Sequence, residues 1–403
     1  MKKKITALIL LCTACLVIFA AVGFSGAYAE ENDVEGESFS DRFMYYLRDF
    51  VGKFPKREAF SAQENAAGEY LASIFNEFGY AASLTAVKNA GEYYDPDYAE
   101  GGESFNVVAR KTGSERDKTV ILGAHYDSSP NGNGAFDNGS GVAVLLTVAE
   151  ALMKKVLPFD TEFVAFGAEE PGLIGSQAYA DSITSPENVL IYINFDVCVG
   201  GDKLFVYCED VYTPQLGFFA EVIKECGAEI EPRTDMKPIF VPASINPYYS
   251  HVGMRSDNRS FNSRGIPTAN FFSGSLDNDF GVYTENPDGS GVMHTKSDTL
   301  SYFTNNENKV RIQAEFLVKT VVRSLTKNDF KYKMTNATVV SGSLTSYRYP
   351  LIAFAVLNLL AIVAVILING KNKRDAAFGD GAAKEKKEMF SHPEADDVFE
   401  FRK

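Results

Sequence analysis

Positive charge is what this sequence is short of. Against 53 Asp and Glu stand 39 Lys and Arg, which leaves a formal charge of −14 and a pI near 4.9. A chain so acidic does not suit a polyanionic partner, so a nucleic-acid ligand is excluded. Cysteine is scarce too: of 5 in the chain, only Cys198, Cys208 and Cys226 fall between the two apolar ends. No C-x-x-C pair occurs among them, and an odd number closes at most one bridge. Neither a disulfide framework nor thiolate metal ligation therefore explains the fold. Histidine is scarcer still, with 4 residues. No internal repeat and no long low-complexity insert is present.

What is present begins with two apolar ends. Lys2, Lys3 and Lys4 precede an apolar stretch from Ile5 to Val22, and Ala27-Tyr28-Ala29 offers small residues at a cleavage spacing. This reads as a secretory signal peptide over residues 1–29; a lipoprotein signal ending at Cys15 is the competing reading. Near the other end, Leu351 to Ile368 is uncharged. At a rise of about 1.5 Å per residue it reaches about 27 Å, close to the roughly 30 Å hydrocarbon core of a bilayer. Lys371, Lys373 and Arg374 follow at once, and such flanks stay cytoplasmic. The organisation expected is a signal peptide (1–29), one catalytic-size domain (40–325), a stalk (326–349), a transmembrane helix (350–369) and a flexible cytoplasmic tail (370–403). The protein is then single-pass in the cell membrane, through one C-terminal helix, with its main domain extracytoplasmic.

Within that domain, apolar positions recur at helical spacing from Ser40 to Tyr80 and predict two leading helices. "FNVVARK" and "TVILGAHYD" are β-branched runs separated by a short charged turn, and predict an antiparallel pair. Helical and strand-like runs then alternate through Leu325. The pattern predicts a three-layer α/β/α sandwich around a mixed, mostly parallel sheet, where sites form at the carboxyl ends of the strands.

Chemistry-bearing residues gather at such ends. His125 and Asp127 follow "TVILGA", Glu169 and Glu170 follow "TEFVAFGA", and Asp196 follows "VLIYINF". If these strands are parallel neighbours, all three ends face one edge of the sheet. The run from Gly132 to Gly141 holds Asp137 but no Lys or Arg. Carboxylates gathered without cations repel and raise one another's pKa, a cost that divalent ions would remove. Imidazole with several carboxylates suits zinc, with cobalt or manganese as substitutes.

The ordered set "GAHYDS", "GAFDNGSGVAVLL", "FGAEEPGLIGS", "INFDV", "RSDNRSF", "GIPT" and "HTKSDT" resembles the zinc aminopeptidases of the M28 type, across roughly Asp41 to Leu325. The resemblance implies a cofactor of two zinc ions per chain and a peptide substrate. It implies that His125 and Asp196 hold one ion, Glu170 and His294 the other, and that Asp137 bridges them. Glu169 becomes the general base. Asp127 orients His125 and takes part in catalysis through it, and Asp298 orients His294. Arg255 and Asp257 lie beside the substrate, although a surface salt bridge is an equal reading of Arg255. His251 matches no ligand position, and His392 lies in the tail. Two residues depart from the pattern: Met293 replaces a Tyr common before the last metal histidine, and Asn258 replaces a His common after Ser-Asp. Cyclisation of N-terminal glutamine, carboxypeptidase action and a non-catalytic receptor-like domain remain the alternatives on this fold.

Overall fold

The computed structural model describes residues 37–88, 102–207, 256–275 and 290–336, with isolated positions between 218 and 288. Two helices lead, as the periodicity predicts. Helix α1 (Phe39–Lys53) starts at Ser38, whose hydroxyl accepts the Asp41 amide N–H at 3.1 Å, and it carries Asp41 in its first turn and Lys53 in its last, matching the helix dipole. Phe43, Leu47 and Phe50 line its buried face at helical spacing. Helix α2 (Ala62–Glu77) is capped in the same way by Ser61, which accepts the Glu64 N–H at 3.1 Å.

The strands are β1 (Ala81–Lys88), β2 (Glu103–Lys111), β3 (Thr119–His125), β4 (Asp160–Phe166), β5 (Val189–Phe195), β6 (Lys203–Tyr207), β7 (Ile239–Phe240) and β8 (Thr268–Gly274). They form one sheet ordered β1-β2-β4-β3-β5-β8-β6-β7. Its centre, β4-β3-β5-β8, is parallel, whereas β1–β2, β2–β4 and β6–β8 are antiparallel. The sheet is thus mixed with a parallel core.

One local expectation fails here. β2 and β3 are not a hairpin, because β4 lies between them and pairs with both, for example Arg110↔Glu162 and Ile121↔Glu162. The turn joining β2 to β3 wraps around the start of β4 instead: Gly113 N–H donates to Asp160 Oδ1 at 2.8 Å and Ser114 N–H to the Leu157 carbonyl at 2.8 Å. Every residue of β3 after Thr119 is buried. Such a strand belongs at the centre of a sheet, where both faces and both edges are covered.

Helices α3 (Ser140–Leu152), α4 (Ile174–Ser182), α5 (Asn258–Asn262), α6 (Leu300–Asn305) and α7 (Glu307–Thr326) follow, with two short helical turns at Ala135–Gly139 and Pro186–Asn188. The pleat sorts the strands into two cores. Val120, Leu122, Ala124, Phe163, Ala165, Ile191 and Ile193 join the core that holds α1, α2, α3 and α7, while Ile121, Val164, Phe166 and Tyr192 face Tyr179 of α4 and Phe261 of α5. Two helical layers therefore cover one sheet. Helix α3 lies between the sheet and the outer helices and buries nearly all of its residues, which explains its almost unbroken apolar sequence.

The order also fixes where a site can form. From β3 the chain crosses through α3 to β4 on one side, and from β4 it crosses through α4 to β5 on the other side of β3. Those two helices lie on opposite faces of the sheet, so a crevice opens beyond the carboxyl end of β3.

Residues 327–336 do not form the stalk expected from Thr326, because Phe330 and Met334 are fully buried in the main core and the Phe330 ring lies 5.3 Å from that of Phe159. The predicted signal peptide (1–29), transmembrane helix (350–369) and tail (370–403) lie outside the described residues, as do Arg255 and His251. Among the described residues no helix is long and apolar enough to cross a membrane.

Candidate metal centre

Five short segments converge on the crevice. His125 is the last residue of β3 and is buried. Its Nδ1 faces Asp127 Oδ1 at 3.3 Å, which keeps a proton on that nitrogen and turns Nε2 toward the crevice. Nε2 in turn lies 3.1 Å from Asp137 Oδ1 and 3.3 Å from Asp196 Oδ1. On the far side, His294 Nε2 lies 3.0 Å from Asp137 Oδ2 and 3.0 Å from Glu170 Oε2. One Asp137 oxygen thus serves each histidine. The His294 side chain is 52% exposed, so the crevice opens to solvent on that side.

The donors fall into two sets, His125 with Glu169 and Asp196, and Asp137 with Glu170 and His294, each within 4.8 Å. Their chemistry, imidazole nitrogen with carboxylate oxygen, is a zinc donor set. Glu170 supports the fit with a second carboxylate oxygen, Oε1, that is buried and unpartnered. So does the charge. Burial, reinforced by Asp257, Asp196 and Glu170, pushes Glu169 well above the usual carboxylate range, and burial with Asp137 pushes Glu170 up to about 7. Burial would lower the His125 imidazole, but Glu169, Asp196, Asp127 and Asp137 together outweigh it and hold its pKa well up. Contacts with Asp137 and Glu170 raise His294 to about 11. Protons on the histidines thus take the place that cations would fill.

Neighbouring backbone is held tightly. Asp127, fully buried, accepts the N–H of Glu169 at 3.1 Å through Oδ1 and that of Glu170 at 3.0 Å through Oδ2. It therefore ties the end of β3 to the acids after β4. Asn138 accepts the N–H groups of Gly141 and Val197 and donates to the Phe195 carbonyl at 2.8 Å, locking the Asp196 segment to the start of α3. Gly141 is needed for this approach rather than for a turn, since a Cβ there would stand 2.2 Å from the Phe195 carbonyl oxygen. Ala168, Val197 and His294 all have positive φ, at 51°, 46° and 56°. Each is a ligand candidate or adjoins one, and such strain persists only where its surroundings enforce it.

Two predicted roles change. Asp298 does not orient His294: its carboxylate accepts the N–H of Phe136 at 2.6 Å and of Asp137 at 3.2 Å, so it holds the bridging residue instead. Asp257 is fully buried, so it lies beneath the crevice rather than on a wall open to substrate. The Ser176 hydroxyl beside it is engaged by Ser260 Oγ and the Leu173 carbonyl, and among the described residues neither Asp257 oxygen has a further partner. Burial pushes its carboxyl up to about 7.

Sequence reading missed two buried charges. Glu64 accepts the Phe60 and Ala168 N–H groups and the Ser104 hydroxyl, and so supports the turn that carries Glu169. Among the described residues Arg57 donates only to main-chain carbonyls, three of them around the same site. Neither adjoins a strand end, the only positional signal the sequence offers; for Glu64 the Ser61-x-x-Glu64 capping pattern would have marked the position but not its purpose.

These features define an α/β protein with a paired histidine–carboxylate centre at the switch point of its sheet. The model of peptidase family M28 matches residues 106–317, and the chain belongs to that family. Over 174 residues it is 38% identical to a probable lipoprotein aminopeptidase, LpqL, of Mycobacterium tuberculosis, a match covering 42% of this chain and about a third (34%) of that protein's length. The fold is that of a zinc aminopeptidase from Bacillus subtilis, with a TM-score of 0.57 at 16% identity over 73% of this chain and 97% of that one. It is shared by a glutaminyl cyclase from Porphyromonas gingivalis, with a TM-score of 0.52 at 20% identity over 70% of this chain and 96% of the other.

Proposed function

We propose that this chain is a zinc-dependent exopeptidase, an aminopeptidase that removes N-terminal residues from peptides and holds two zinc ions. The observation that carries this reading is Asp137, whose two oxygens each face a different histidine at 3.1 and 3.0 Å. A carboxylate presented in this way suits a pair of metal ions sharing one ligand. His125 and Asp196 would complete one position, Glu170 and His294 the other.

When bound, zinc supplies a Lewis acid that polarises the scissile carbonyl and makes water acidic enough to attack near neutral pH. Glu169, with its carboxylate within 4.8 Å of the donor atoms of His125 and Asp196, takes the proton from the attacking water as the new C–O bond forms. It then gives that proton to the amine as the C–N bond breaks. Glu169 and Glu170 also present negative charge to a free α-amino group, which favours the N-terminal end of a peptide.

The same proposal puts the domain outside the cell membrane, anchored by the apolar segment 351–368, on the strength of its length and the cationic residues after it. Protease added to intact cells would then digest the domain; if residues 40–330 survived, the topology is wrong. For the chemistry, the purified chain should release free amino acids from a peptide library, and a chelator should abolish release. Release from the carboxyl end, or conversion of a Gln-initiated peptide to its cyclised form without amino-acid release, would replace the aminopeptidase reading.

A further inference from the structure

Arg57 lies in the connection between α1 and α2, before the stretch matched by the family model. It is fully buried. Among the described residues its guanidinium contacts no carboxylate. Its Nε donates to the Tyr126 carbonyl at 2.6 Å, Nη1 to those of Phe54 at 3.0 Å and Asn133 at 3.1 Å, and Nη2 to that of Gly134 at 2.8 Å. The Phe50 ring covers it, 4.7 Å from the centroid to Cζ. A buried charge without an ion pair is costly, and neutral donors could satisfy carbonyls for less. Its placement accounts for the cost. Tyr126 stands between His125 and Asp127, and Asn133 and Gly134 lead to Asp137, so one rigid fork spans both flanks of the loop that presents the bridging carboxylate. The Arg57 carbonyl adds a further tie by accepting the Ser128 N–H at 3.0 Å. Gly134, at φ 62°, has room for nothing larger, since a Cβ there would stand 2.5 Å from Ser128 Cβ, 2.8 Å from Arg57 Nη2 and 3.0 Å from the Asp137 carbonyl oxygen.

We propose that Arg57 is a positioning residue for the metal centre: its guanidinium fixes the spacing between the His125–Asp127 strand end and the Asp137 loop, and thereby sets zinc affinity without touching metal or substrate. The inference rests on the zinc reading above. Two effects of the arginine oppose each other. Its positive charge disfavours nearby cations, whereas its hydrogen bonds hold their ligands in place. Arg57→Lys separates them, because it keeps the charge and loses the fork.

The test uses the full chain, with zinc affinity measured by competition against a chromophoric chelator and folding followed by circular dichroism of the metal-free protein. R57K should remain folded and bind zinc about 10–100-fold more weakly, the range for groups that orient metal ligands. A packing role alone would lower the thermal stability of the metal-free protein and leave the zinc affinity of the folded protein unchanged; that result overturns the proposal. If R57K does not fold, Gly134→Ala decides, since it retains the arginine and disturbs the loop where Nη2, Ser128 and the Asp137 carbonyl meet. G134A should also lose zinc affinity, and wild-type affinity in that variant would overturn the proposal equally. A wild-type chain that takes up no zinc overturns the functional reading itself, and this inference with it.

Discussion

Asp127→Asn tests how much of the site rests on one carboxylate. Asp127 serves three groups: Oδ1 faces His125 Nδ1 and accepts the Glu169 N–H, and Oδ2 accepts the Glu170 N–H. An amide keeps the shape but has one acceptor. Its less damaging orientation leaves the oxygen with His125 and Glu169 and turns the NH2 toward the Glu170 N–H, donor against donor. The variant loses one charge-assisted bond, about 1.5–3 kcal/mol, and strands a buried donor, about 1–3 kcal/mol. One effect runs the other way, because Asp127 repels Glu64 and Asp257. Those acids already relieve the repulsion by holding protons, with pKa values of about 8 and about 7. The Glu170 amide has no such escape, so hydrogen-bond loss should win by about 3–5 kcal/mol. At roughly 2–4 °C per kcal/mol, metal-free D127N should unfold about 10 °C below wild type. Its zinc affinity should fall by about 10–100-fold, with the larger loss on the Glu170–His294 side. Thermal unfolding in chelator and zinc competition measure the two. Melting within about 2 °C of wild type together with unchanged affinity would refute the argument, because the three contacts would then carry no energy.

Further outcomes follow from the same geometry. Glu169→Gln should abolish turnover on leucine p-nitroanilide while zinc content by elemental analysis stays at the wild-type level; retained activity would remove Glu169 as the base. Asp298→Ala leaves the Phe136 and Asp137 amides without their acceptor, at about 1–3 kcal/mol each, and should show in chemical denaturation as well as in weaker zinc binding. Glu64, raised by burial and by Asp127 from 4.5 to about 8, binds its proton more tightly folded than unfolded. Its contribution to stability is complete below about pH 4.5 and is lost as pH rises through about 8, with a slope of up to about 1.4 kcal/mol per pH unit. Denaturation of metal-free wild type and Glu64→Gln across that window should show the slope reduced in the variant. Finally, the pKa values of His294, at about 11, and His125, raised by the surrounding carboxylates, favour protonated imidazoles in the metal-free protein, so zinc uptake should release protons. Binding enthalpies that do not vary with buffer ionisation heat would contradict this.

Part of the ligand set was legible because four of its residues follow strands, and strand ends in an α/β sheet share an edge, whereas Asp137 and His294 follow no strand directly and their roles came from the motif resemblance. His125, Glu169, Glu170 and Asp196 close β3, β4 and β5, and those strands are indeed parallel neighbours. Pairing was less legible. The turn after β2 reads as a hairpin locally, yet β3, buried throughout, takes the sheet centre and admits β4 between the two. Tertiary burial overrode a local signal that was correct in kind, since β2 is antiparallel to the strand it does meet. The supporting groups were least visible. Asp298 is four residues from His294, which suggests service to that histidine, but its contacts are with Phe136 and Asp137, more than 160 positions away in the chain. Arg57 and Glu64 gave no sign of their purpose because it lies wholly in through-space contacts with the loops they hold.

Charge explains why these supporting groups are arranged as they are. Asp127, Asp137, Glu169, Glu170 and Asp196 bring five carboxylates to one crevice, and Arg57 is a permanent cation that interacts with Asp298, Asp127, Asp137 and Glu170 at its base. Burial pushes that guanidinium down to about 10, still charged at neutral pH. With these acids ionised the crevice carries a large negative excess, which divalent ions would reduce. Before metal arrives, protonated His125 and His294 and the partly protonated Glu170 offset part of that excess. Zinc uptake would then exchange ions for protons at these ligands. A histidine-free route to the same neutrality would need more arginines near the ligands, and fixed cations cannot leave when metal comes. Titrating imidazoles can, which gives a physical reason for placing two of the chain's few histidines here.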